Sequence, residues 1–252
     1  MLPGSNEAEP QSRILEKRMA VITGGGSGIG AAVALALARE GVGLCLIGRR
    51  LEPLEAVASK ARDMGVPAVY YRTDLSLSSG QQELTRSLRQ SLNRLDFLIQ
   101  NAALHSVGSV EDSNLAEFDE LYHTNVRAPL ALAQALLPML KERAGQIVFI
   151  NSSSGLAAKP MSSQYDATKH ALKAIADSLR AEINSYGVRV LSVYPGRTAT
   201  DLQARIHRAE DKPYRPEHLL QPADVASVIM NALLLPRTAE VTDIHIRPMI
   251  KT

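Results

Sequence analysis

The sequence predicts an α/β protein built on one doubly wound, mostly parallel sheet of seven strands. Seven short apolar runs alternate along the 252 residues with longer stretches of helical periodicity. That alternation is typical of parallel strands joined by crossover helices. The runs are apolar along most of their length, as expected when helices cover both faces of the sheet.

Each element follows from its local pattern. Gly41 and Gly43 end the first helix, and Gly65 followed by Pro67 ends the second, because these residues favour helix termination. The predicted strands cover residues 19–23, 44–48, 68–72, 96–100, 146–152, 188–194 and 242–246. The predicted helices cover residues 28–41, 51–64, 77–92, 115–142, 163–186 and 223–235.

The chain is expected to form one domain, residues 19–252, because no linker or low-complexity stretch divides it. Residues 1–18 are polar, lack periodicity and are predicted to form a flexible tail. Residues 199–222 interrupt the alternation with a charged segment containing Pro213 and Pro216. A long loop inside a domain is usually functional, so we expect a substrate lid there. Leu202 and Ile206, four apart, predict a short amphipathic helix within it.

Composition argues against several classes of protein. The net charge of +2 is near balance and the basic residues form no long run, which gives no support to nucleic-acid binding. No stretch approaches the ~20 apolar residues of a membrane span, and the N-terminus lacks the apolar core of a secretory signal. We expect a cytoplasmic protein with neither nucleic acid nor membrane as partner.

No metal site is expected. The single cysteine, Cys45, lies in an apolar run and is interpreted as a core residue. The six histidines show no metal-ligand spacing and are expected on the surface or in helices; they are His105, His123, His170, His207, His218 and His245.

A glycine-rich turn follows the first strand and precedes the first helix. Glycines let a backbone turn sharply and approach a pyrophosphate, and the helix N-terminus offers free N–H groups to it. A plain tight turn is the alternative, but the position between strand and helix favours dinucleotide binding. The residues concerned are Thr23, Gly24, Gly26, Ser27, Gly28, Ile29 and Gly30.

The end of the second strand bears on the choice of dinucleotide. NAD sites carry an acidic residue about twenty positions after the glycines, which accepts hydrogen bonds from the ribose. Here the sequence reads Gly48-Arg49-Arg50. A guanidinium can bind a 2′-phosphate, so NADP is the predicted cofactor. Arg49 is the main candidate and Arg50 the second; the alternative is that both only begin the next helix on a solvated face.

Tyr165 and Lys169 are four residues apart on a predicted helix, so their side chains share a face. A free tyrosine, with a pKa of about 10, exchanges protons poorly near neutrality. A neighbouring ammonium favours the phenolate and lowers that pKa. Ser152 precedes Tyr165 by thirteen residues, and Ser154 is the fallback within the serine run 152–154.

Together these segments resemble the short-chain dehydrogenase/reductase family over roughly residues 19–246. The glycine turn matches its Thr-Gly-x-x-x-Gly-x-Gly motif, and Ser152, Tyr165 and Lys169 match its catalytic centre together with Asn125. The resemblance implies a Rossmann fold and hydride transfer between nicotinamide and a carbonyl or alcohol. Tyr165 would be the general acid or base. Lys169 would lower the Tyr165 pKa and hold the nicotinamide ribose, Ser152 would bind the substrate oxygen, and Asn125 would anchor a water.

The resemblance implies further cofactor contacts after the third, fourth and sixth strands. Gln100 and Ala103 depart from the family's Asn-Asn-Ala-Gly element, where an Asn and a Gly are usual. The family's Pro-Gly-x-x-x-Thr segment matches the chain from Pro195 to Thr200. The implied contacts are Asp74, Leu75, Asn101, Ala102, Pro195, Gly196, Thr198 and Thr200.

The sequence therefore predicts an NADP-dependent oxidoreductase acting on a small carbonyl or secondary alcohol. An NAD-linked hydroxysteroid or sugar-alcohol dehydrogenase is one alternative. A non-catalytic NADP-sensing module is the other, although the intact Ser, Tyr and Lys argue against it. By resemblance, helices 115–142 and 163–186 would form the interface of a homodimer or homotetramer.

Overall fold

The computed structural model of the chain describes residues 15–250. Seven parallel strands form one sheet in the order β3-β2-β1-β4-β5-β6-β7. Their bounds are β1 Met19–Thr23, β2 Gly43–Gly48, β3 Ala68–Arg72, β4 Phe97–Gln100, β5 Gln146–Ile150, β6 Arg189–Pro195 and β7 Asp243–Ile246. The predicted fold class, a doubly wound seven-stranded sheet, is confirmed.

Eight α-helices connect or flank these strands within the described residues. Their bounds are α1 Gly28–Arg39, α2 Leu51–Asp63, α3 Ser78–Ser91, α4 Leu115–Tyr122, α5 Ala128–Glu142, α6 Ser163–Ile183, α7 Asp201–Ala209 and α8 Pro222–Leu233. Most of the predicted ends agree within two residues. The helix suggested by Leu202 and Ile206 is α7.

The two faces of the sheet carry separate cores. Helices α1, α2 and α8 pack on one face around side chains such as Ile22 and Leu44. Helices α3, α5 and α6 pack on the other around Val21, Ile47 and Phe149. Because successive strand residues point to opposite faces, strands covered on both sides must be apolar throughout, which explains the runs in the sequence.

The predicted helix 115–142 is helical throughout, but it contains one turn that is not α-helical. Residues His123–Arg127 form a π-helical turn between α4 and α5. Such turns occur often at functional sites because they widen the helix locally. This turn carries Asn125, which is 1% exposed. The prediction of a single regular helix was wrong here because apolar spacing does not distinguish an α turn from a π turn.

The N-terminal boundary differs from the predicted tail. Leu15, which falls within the segment 1–18, is 2% exposed and packs in the core beside α1 and α2. Residues 1–14 of that predicted tail lie outside the described residues.

The strand order places a crevice at the carboxyl edge of the sheet. The chain runs from β1 outward to β2 and β3, and then resumes on the other side of β1 with β4. The loops that leave β1 and β4 therefore diverge toward opposite faces of the sheet. A crevice opens at such a switch point, and ligands of doubly wound folds bind there.

Candidate active site

One large cleft of about 1260 Å³ opens at this edge of the sheet. It exceeds the roughly 300–1,000 Å³ of sites for drug-sized ligands. Most of the predicted site residues line it, namely Gly24, Gly26, Ser27, Gly28, Ile29, Arg49, Arg50, Asp74, Leu75, Asn101, Ala102, Ser152, Tyr165, Lys169, Pro195, Gly196, Thr198 and Thr200. Thr23, Gly30 and Asn125 are the predicted residues that do not line the cleft.

The glycine turn forms one end of the cleft and leads into α1. Ser27 precedes the helix, but its side chain makes no capping hydrogen bond. The first N–H groups of a helix lack partners within it, so this end of α1 can bind an anion. Gly28 has φ of +53°, and a Cβ there would lie 2.9 Å from the Thr200 methyl group. Glycine is therefore required for the turn to pass beside the segment after β6.

Thr23 and Asn101 hold the ends of β1 and β4 together behind the cleft. The Thr23 hydroxyl accepts hydrogen bonds from the backbone N–H of Asn101 at 2.9 Å and of Ala102 at 3.0 Å. The Asn101 amide donates to the carbonyl of Thr23 at 3.1 Å and of Gly24 at 3.2 Å. These bonds fix the separation of the two loops that border the crevice.

The two arginines after β2 are both exposed, but their surroundings differ. Arg50 donates to the Ser27 hydroxyl and to the Asp201 carboxylate, both at 3.4 Å. Arg49 has no hydrogen-bond or ion-pair partner among residues 15–250. Asp74, at the same end of the cleft, accepts from the backbone and hydroxyl of Ser76 at 2.9 and 2.8 Å through one carboxylate oxygen.

Ser152, Tyr165 and Lys169 come together at the other end of the cleft. The Lys169 ammonium lies 5.7 Å from the centre of the Tyr165 ring and donates to the Ile150 carbonyl at 3.1 Å. Ser152 lies two residues beyond β5, and its hydroxyl accepts from the Ser154 N–H at 3.1 Å. Ser152 and Ser154 both line the cleft, but Ser152 is the one that hydrogen-bonds the Tyr165 hydroxyl, which favours it over the fallback.

Burial dominates the protonation of this cluster. It raises the pKa of Tyr165 to about 12, although hydrogen bonding with Ser152 lowers it. It lowers the pKa of Lys169 to about 8. Desolvation of the phenolate thus determines the direction of the shift, and the expected lowering of the Tyr165 pKa by the nearby ammonium is not seen. The phenol is protonated at neutral pH and can donate a proton.

Asn125 lies behind these residues and joins two backbone segments. Its amide oxygen accepts from the Leu104 N–H at 2.8 Å, and its amide nitrogen donates to the Leu104 carbonyl at 2.9 Å. The same nitrogen donates to the Thr168 hydroxyl at 3.0 Å. Thr168 in turn donates to the Tyr165 carbonyl at 2.7 Å. Asn125 therefore positions the loop after β4 relative to the first turns of α6.

Asn151 and Gly155 also shape the site, and the motif analysis did not identify them. The Asn151 amide donates to the Lys169 carbonyl at 3.1 Å and accepts from the Ser152 N–H at 2.9 Å. A Cβ at Gly155 would lie 2.6 Å from the Asn151 side-chain oxygen. The segment after β5 can pack closely on α6 because residue 155 is glycine.

His105 is a further cleft residue, which no sequence motif identifies. It lines the cleft, and its ring centre lies 4.2 Å from that of Tyr165. The expectation that all six histidines lie on the surface or in helices was wrong for His105, because the loop after β4 carries it into the cleft. Its position four residues after Asn101 is the only sequence signal that points toward the site.

The segment after β6 and α7 line the cleft. The Thr200 hydroxyl caps this helix by accepting from the Gln203 N–H at 3.2 Å. Arg197 donates to both carboxylate oxygens of Glu210 at 3.0 and 2.7 Å and lies 3.2 Å from the buried His207 ring. These contacts hold the two ends of α7 near the cleft.

Residues 15–250 lack two kinds of feature. Residues 15–250 contain no group of three or more histidine, cysteine or acidic side chains placed to hold a metal ion. None of the helices over the same residues is sufficiently long and apolar to span a bilayer. Cys45 is buried in the core, where desolvation raises its pKa to about 12.

The chain is similar to known proteins over most of its length. An uncharacterized oxidoreductase of Staphylococcus aureus strain USA300 is 33% identical over 237 residues, covering 94% of this chain and 99% of that protein. An alcohol dehydrogenase of Thermococcus sibiricus, solved with 5-hydroxy-NADP, superposes with a TM-score of 0.84 at 27% identity, covering 93% and 98% of the two chains. A metagenomic short-chain oxidoreductase solved with NADP gives a TM-score of 0.80 at 28% identity, covering 94% and 99%.

The sequence also matches a protein family. Residues 18–211 match the family described as short chain dehydrogenase, which is more than half of the chain and includes the glycine turn, Ser152, Tyr165 and Lys169. The chain therefore belongs to the short chain dehydrogenase family of oxidoreductases.

Proposed function

We propose that this protein is an NADP(H)-dependent oxidoreductase that interconverts a small carbonyl compound and its secondary alcohol. The observation that carries the proposal is the buried Tyr165 phenol, which faces the cleft beside Ser152 and Lys169. Hydride transfer to a carbonyl carbon requires a proton at the carbonyl oxygen. Tyr165, which is protonated at neutral pH, would supply that proton.

The cleft fits a dinucleotide phosphate. The N-terminus of α1 offers unpartnered N–H groups, and the glycine turn leaves no Cβ in the way of a pyrophosphate. Arg49, without a partner among the described residues, and Arg50 are the groups that would hold a 2′-phosphate. When bound, the nicotinamide supplies the hydride. The NADP carried by the metagenomic short-chain oxidoreductase supports the same choice.

Residues of this chain would transfer the proton to and from the substrate oxygen. Ser152 would hydrogen-bond the substrate oxygen, and Tyr165 would donate its phenolic proton to that oxygen. In the reverse direction Tyr165 would accept the alcohol proton. The Lys169 ammonium would stabilise the phenolate that forms, and it would hold the nicotinamide ribose. The developing positive charge on an oxidised nicotinamide would also oppose the desolvation that raises the Tyr165 pKa.

We propose roles for the other predicted site residues as well. Asn125 would position Tyr165 and Lys169. Asp74, Leu75, Asn101, Ala102, Pro195, Gly196, Thr198 and Thr200 would contact the cofactor, with residues 199–222 as the lid. Of the predicted tail 1–18, only the part outside the described residues, 1–14, stays a prediction, as does a cytoplasmic location.

We also propose that the active form is a homodimer or homotetramer. Leu115 is 74% exposed, and Tyr122 and Leu130 are 45% and 47% exposed along the segment predicted as an interface. Apolar side chains exposed together often mark an interaction surface. Light scattering of the purified protein would measure the molecular mass; a monomer would contradict this part of the proposal.

The deciding experiment follows NADPH oxidation at 340 nm over a panel of aldehydes, ketones and keto-esters. We expect turnover with at least one substrate and a preference for NADPH over NADH. Tyr165→Phe removes the transferable proton, so turnover should fall by about 10²–10⁴ while NADPH binding is retained. A preference for NADH would favour an NAD-linked enzyme, and NADPH binding without turnover would favour a sensing module.

A further inference from the structure

His105 is held on a loop whose backbone is fixed on both sides. Asn125 binds the N–H and carbonyl of Leu104, immediately before it. The Gly108 N–H donates to the Met161 carbonyl at 3.0 Å, joining the same loop to the opposite wall of the cleft. A side chain on a backbone fixed in this way keeps a defined position, as binding groups require.

The imidazole packs on the ring that carries the proposed acid. The ring centres of His105 and Tyr165 are 4.2 Å apart, with the planes inclined by 43°. Val107 and Met161 line the cleft beside them. His105 therefore lies in the part of the cleft where a substrate would meet Tyr165.

The polar atoms of this imidazole have no hydrogen-bond partner among residues 15–250, although Tyr165 beside it is buried. The charged groups acting on it have opposed effects, since Asp166 and Glu210 favour its protonation and Lys169 and Arg197 oppose it. Burial outweighs all four and lowers its pKa to about 4. At neutral pH the ring is uncharged and offers one donor and one acceptor.

We propose that His105 is a substrate-binding residue whose uncharged imidazole hydrogen-bonds a second oxygen on the carbon next to the reacting carbonyl. The site would then favour α-oxygenated ketones over plain ketones of the same length. This assignment rests on the proposed function, because it places the substrate carbonyl between Ser152 and Tyr165. A free donor and acceptor on a fixed loop, adjacent to the proton-donating ring, is the arrangement that supports it.

The test compares 1-hydroxybutan-2-one with butan-2-one in wild type and in His105→Phe, which keeps an aromatic ring but has no hydrogen-bonding atoms. The quantity measured is the ratio of kcat/KM for the two ketones, with NADPH as reductant. Comparing this ratio between the variants cancels the intrinsic difference in reactivity of the ketones. Loss of one neutral hydrogen bond in His105→Phe should lower this kcat/KM ratio about three- to tenfold relative to the wild type.

His105→Gln and His105→Leu form a second pair in case the phenylalanine variant does not fold. Glutamine keeps a donor and an acceptor, so its ratio should stay above that of leucine. His245→Phe is the matched control, because His245 lies on β7 and does not line the cleft, and its ratio should equal that of the wild type. NADPH titration of each variant verifies that the cofactor site is intact.

The outcomes separate the two proposals. Equal ratios in wild type, His105→Phe and His105→Leu, with activity retained, would overturn the role of His105 and leave the proposed function standing. Absence of carbonyl turnover in the wild-type enzyme across the panel would overturn both.

Discussion

Asn125 donates a hydrogen bond from its side-chain amide to the hydroxyl of Thr168, with 3.0 Å between the two atoms. Both residues are buried, and the bond joins the π-helical turn to the helix that carries Tyr165 and Lys169. Because the same amide also binds Leu104 through two hydrogen bonds, one side chain fixes the loop that carries His105 and the helix that carries the proposed acid. A role for Asn125 in positioning follows from these contacts alone.

Replacing Asn125 by alanine should therefore affect both stability and activity. The variant leaves the Leu104 N–H and carbonyl without their partner, so we expect a loss of roughly 1–3 kcal/mol in the free energy of unfolding. Turnover should fall because Tyr165 is no longer held relative to the loop. Urea denaturation and steady-state kinetics measure the two effects.

Thr168 offers a matched pair for this prediction. Thr168→Ser keeps the hydroxyl that accepts from Asn125 and should behave nearly as the wild type. Thr168→Val removes it and should reproduce part of the Asn125→Ala loss. If valine and serine at position 168 gave equal stability and turnover, the hydrogen-bonded connection would have no measurable role.

Lys169 is expected to reduce the stability of the cofactor-free protein. Its pKa is lowered by burial from an ordinary value near 10.5 to about 8. Below pH 8 both folded and unfolded states carry the proton, and the folded state bears the full cost of burying the ammonium. Between pH 8 and 10.5 the unfolded state holds more protons, so the wild type gains stability as the pH rises.

Lys169→Met should consequently stabilise the protein at pH 7 while abolishing turnover. The lowered pKa of Lys169 corresponds to a gain of up to about 3 kcal/mol, from which loss of the hydrogen bond to the Ile150 carbonyl subtracts roughly 1 kcal/mol. Most of the net gain should be lost by pH 9.5. Denaturation with guanidinium chloride at the two pH values measures it. Lys173→Met is the control on the same helix, because Lys173 is only partly buried and is paired with Asp177, and it should change stability by less than about 0.5 kcal/mol. A Lys169→Met variant less stable than the wild type at pH 7 would contradict the argument.

Sequence reasoning reached the fold because the physics of strands and crossover helices is local. The run at 19–23 matches β1 residue for residue, since strands buried on both faces must be apolar and are bounded by turns. The run at 68–72 matches β3 equally well, although this edge strand is largely accessible. The position of the candidate catalytic motif could be inferred as well, because the spacing of Tyr165 and Lys169 determines their shared face on a helix.

Contacts between distant segments were not predictable in the same way. His105 reaches Tyr165 only because a loop without regular structure is fixed by Asn125 and Met161. The direction in which the Tyr165 pKa shifts depends on how completely the helix and the neighbouring loops exclude water. The spacing of residues along the chain does not encode this exclusion. The bond between Arg50 and Asp201 likewise joins residues 151 positions apart.

The two arginines after β2 should differ in their effect on cofactor choice. Arg50 already contacts Ser27 and Asp201, whereas Arg49 has no partner among the described residues. We therefore expect Arg49→Ala to weaken NADPH binding relative to NADH by about tenfold or more, the range of a hydrogen bond to a charged group. Arg50→Ala should have a smaller effect on that ratio. Fluorescence titration of each variant with both cofactors measures it; equal losses for NADPH and NADH in Arg49→Ala would reject a 2′-phosphate contact.

Gly30 is the position where a single methyl group should disrupt the glycine turn. A Cβ there would lie 2.5 Å from the Asn101 amide nitrogen and would overlap the Gly24 carbonyl oxygen. Both atoms belong to the hydrogen-bonded connection between β1 and β4, so neither can move without breaking it. We expect Gly30→Ala to lower the free energy of unfolding by about 1–3 kcal/mol and to weaken NADPH binding.

Gly108→Ala provides the matched control for Gly30→Ala, because a Cβ at Gly108 would meet nothing within 4 Å. Its stability and NADPH affinity should remain near those of the wild type. Thermal unfolding with and without NADPH measures both quantities in one experiment, since a ligand that binds the folded state raises the Tm. If the two alanine variants showed the same Tm and the same increase with NADPH, close packing at Gly30 would not be what maintains the turn.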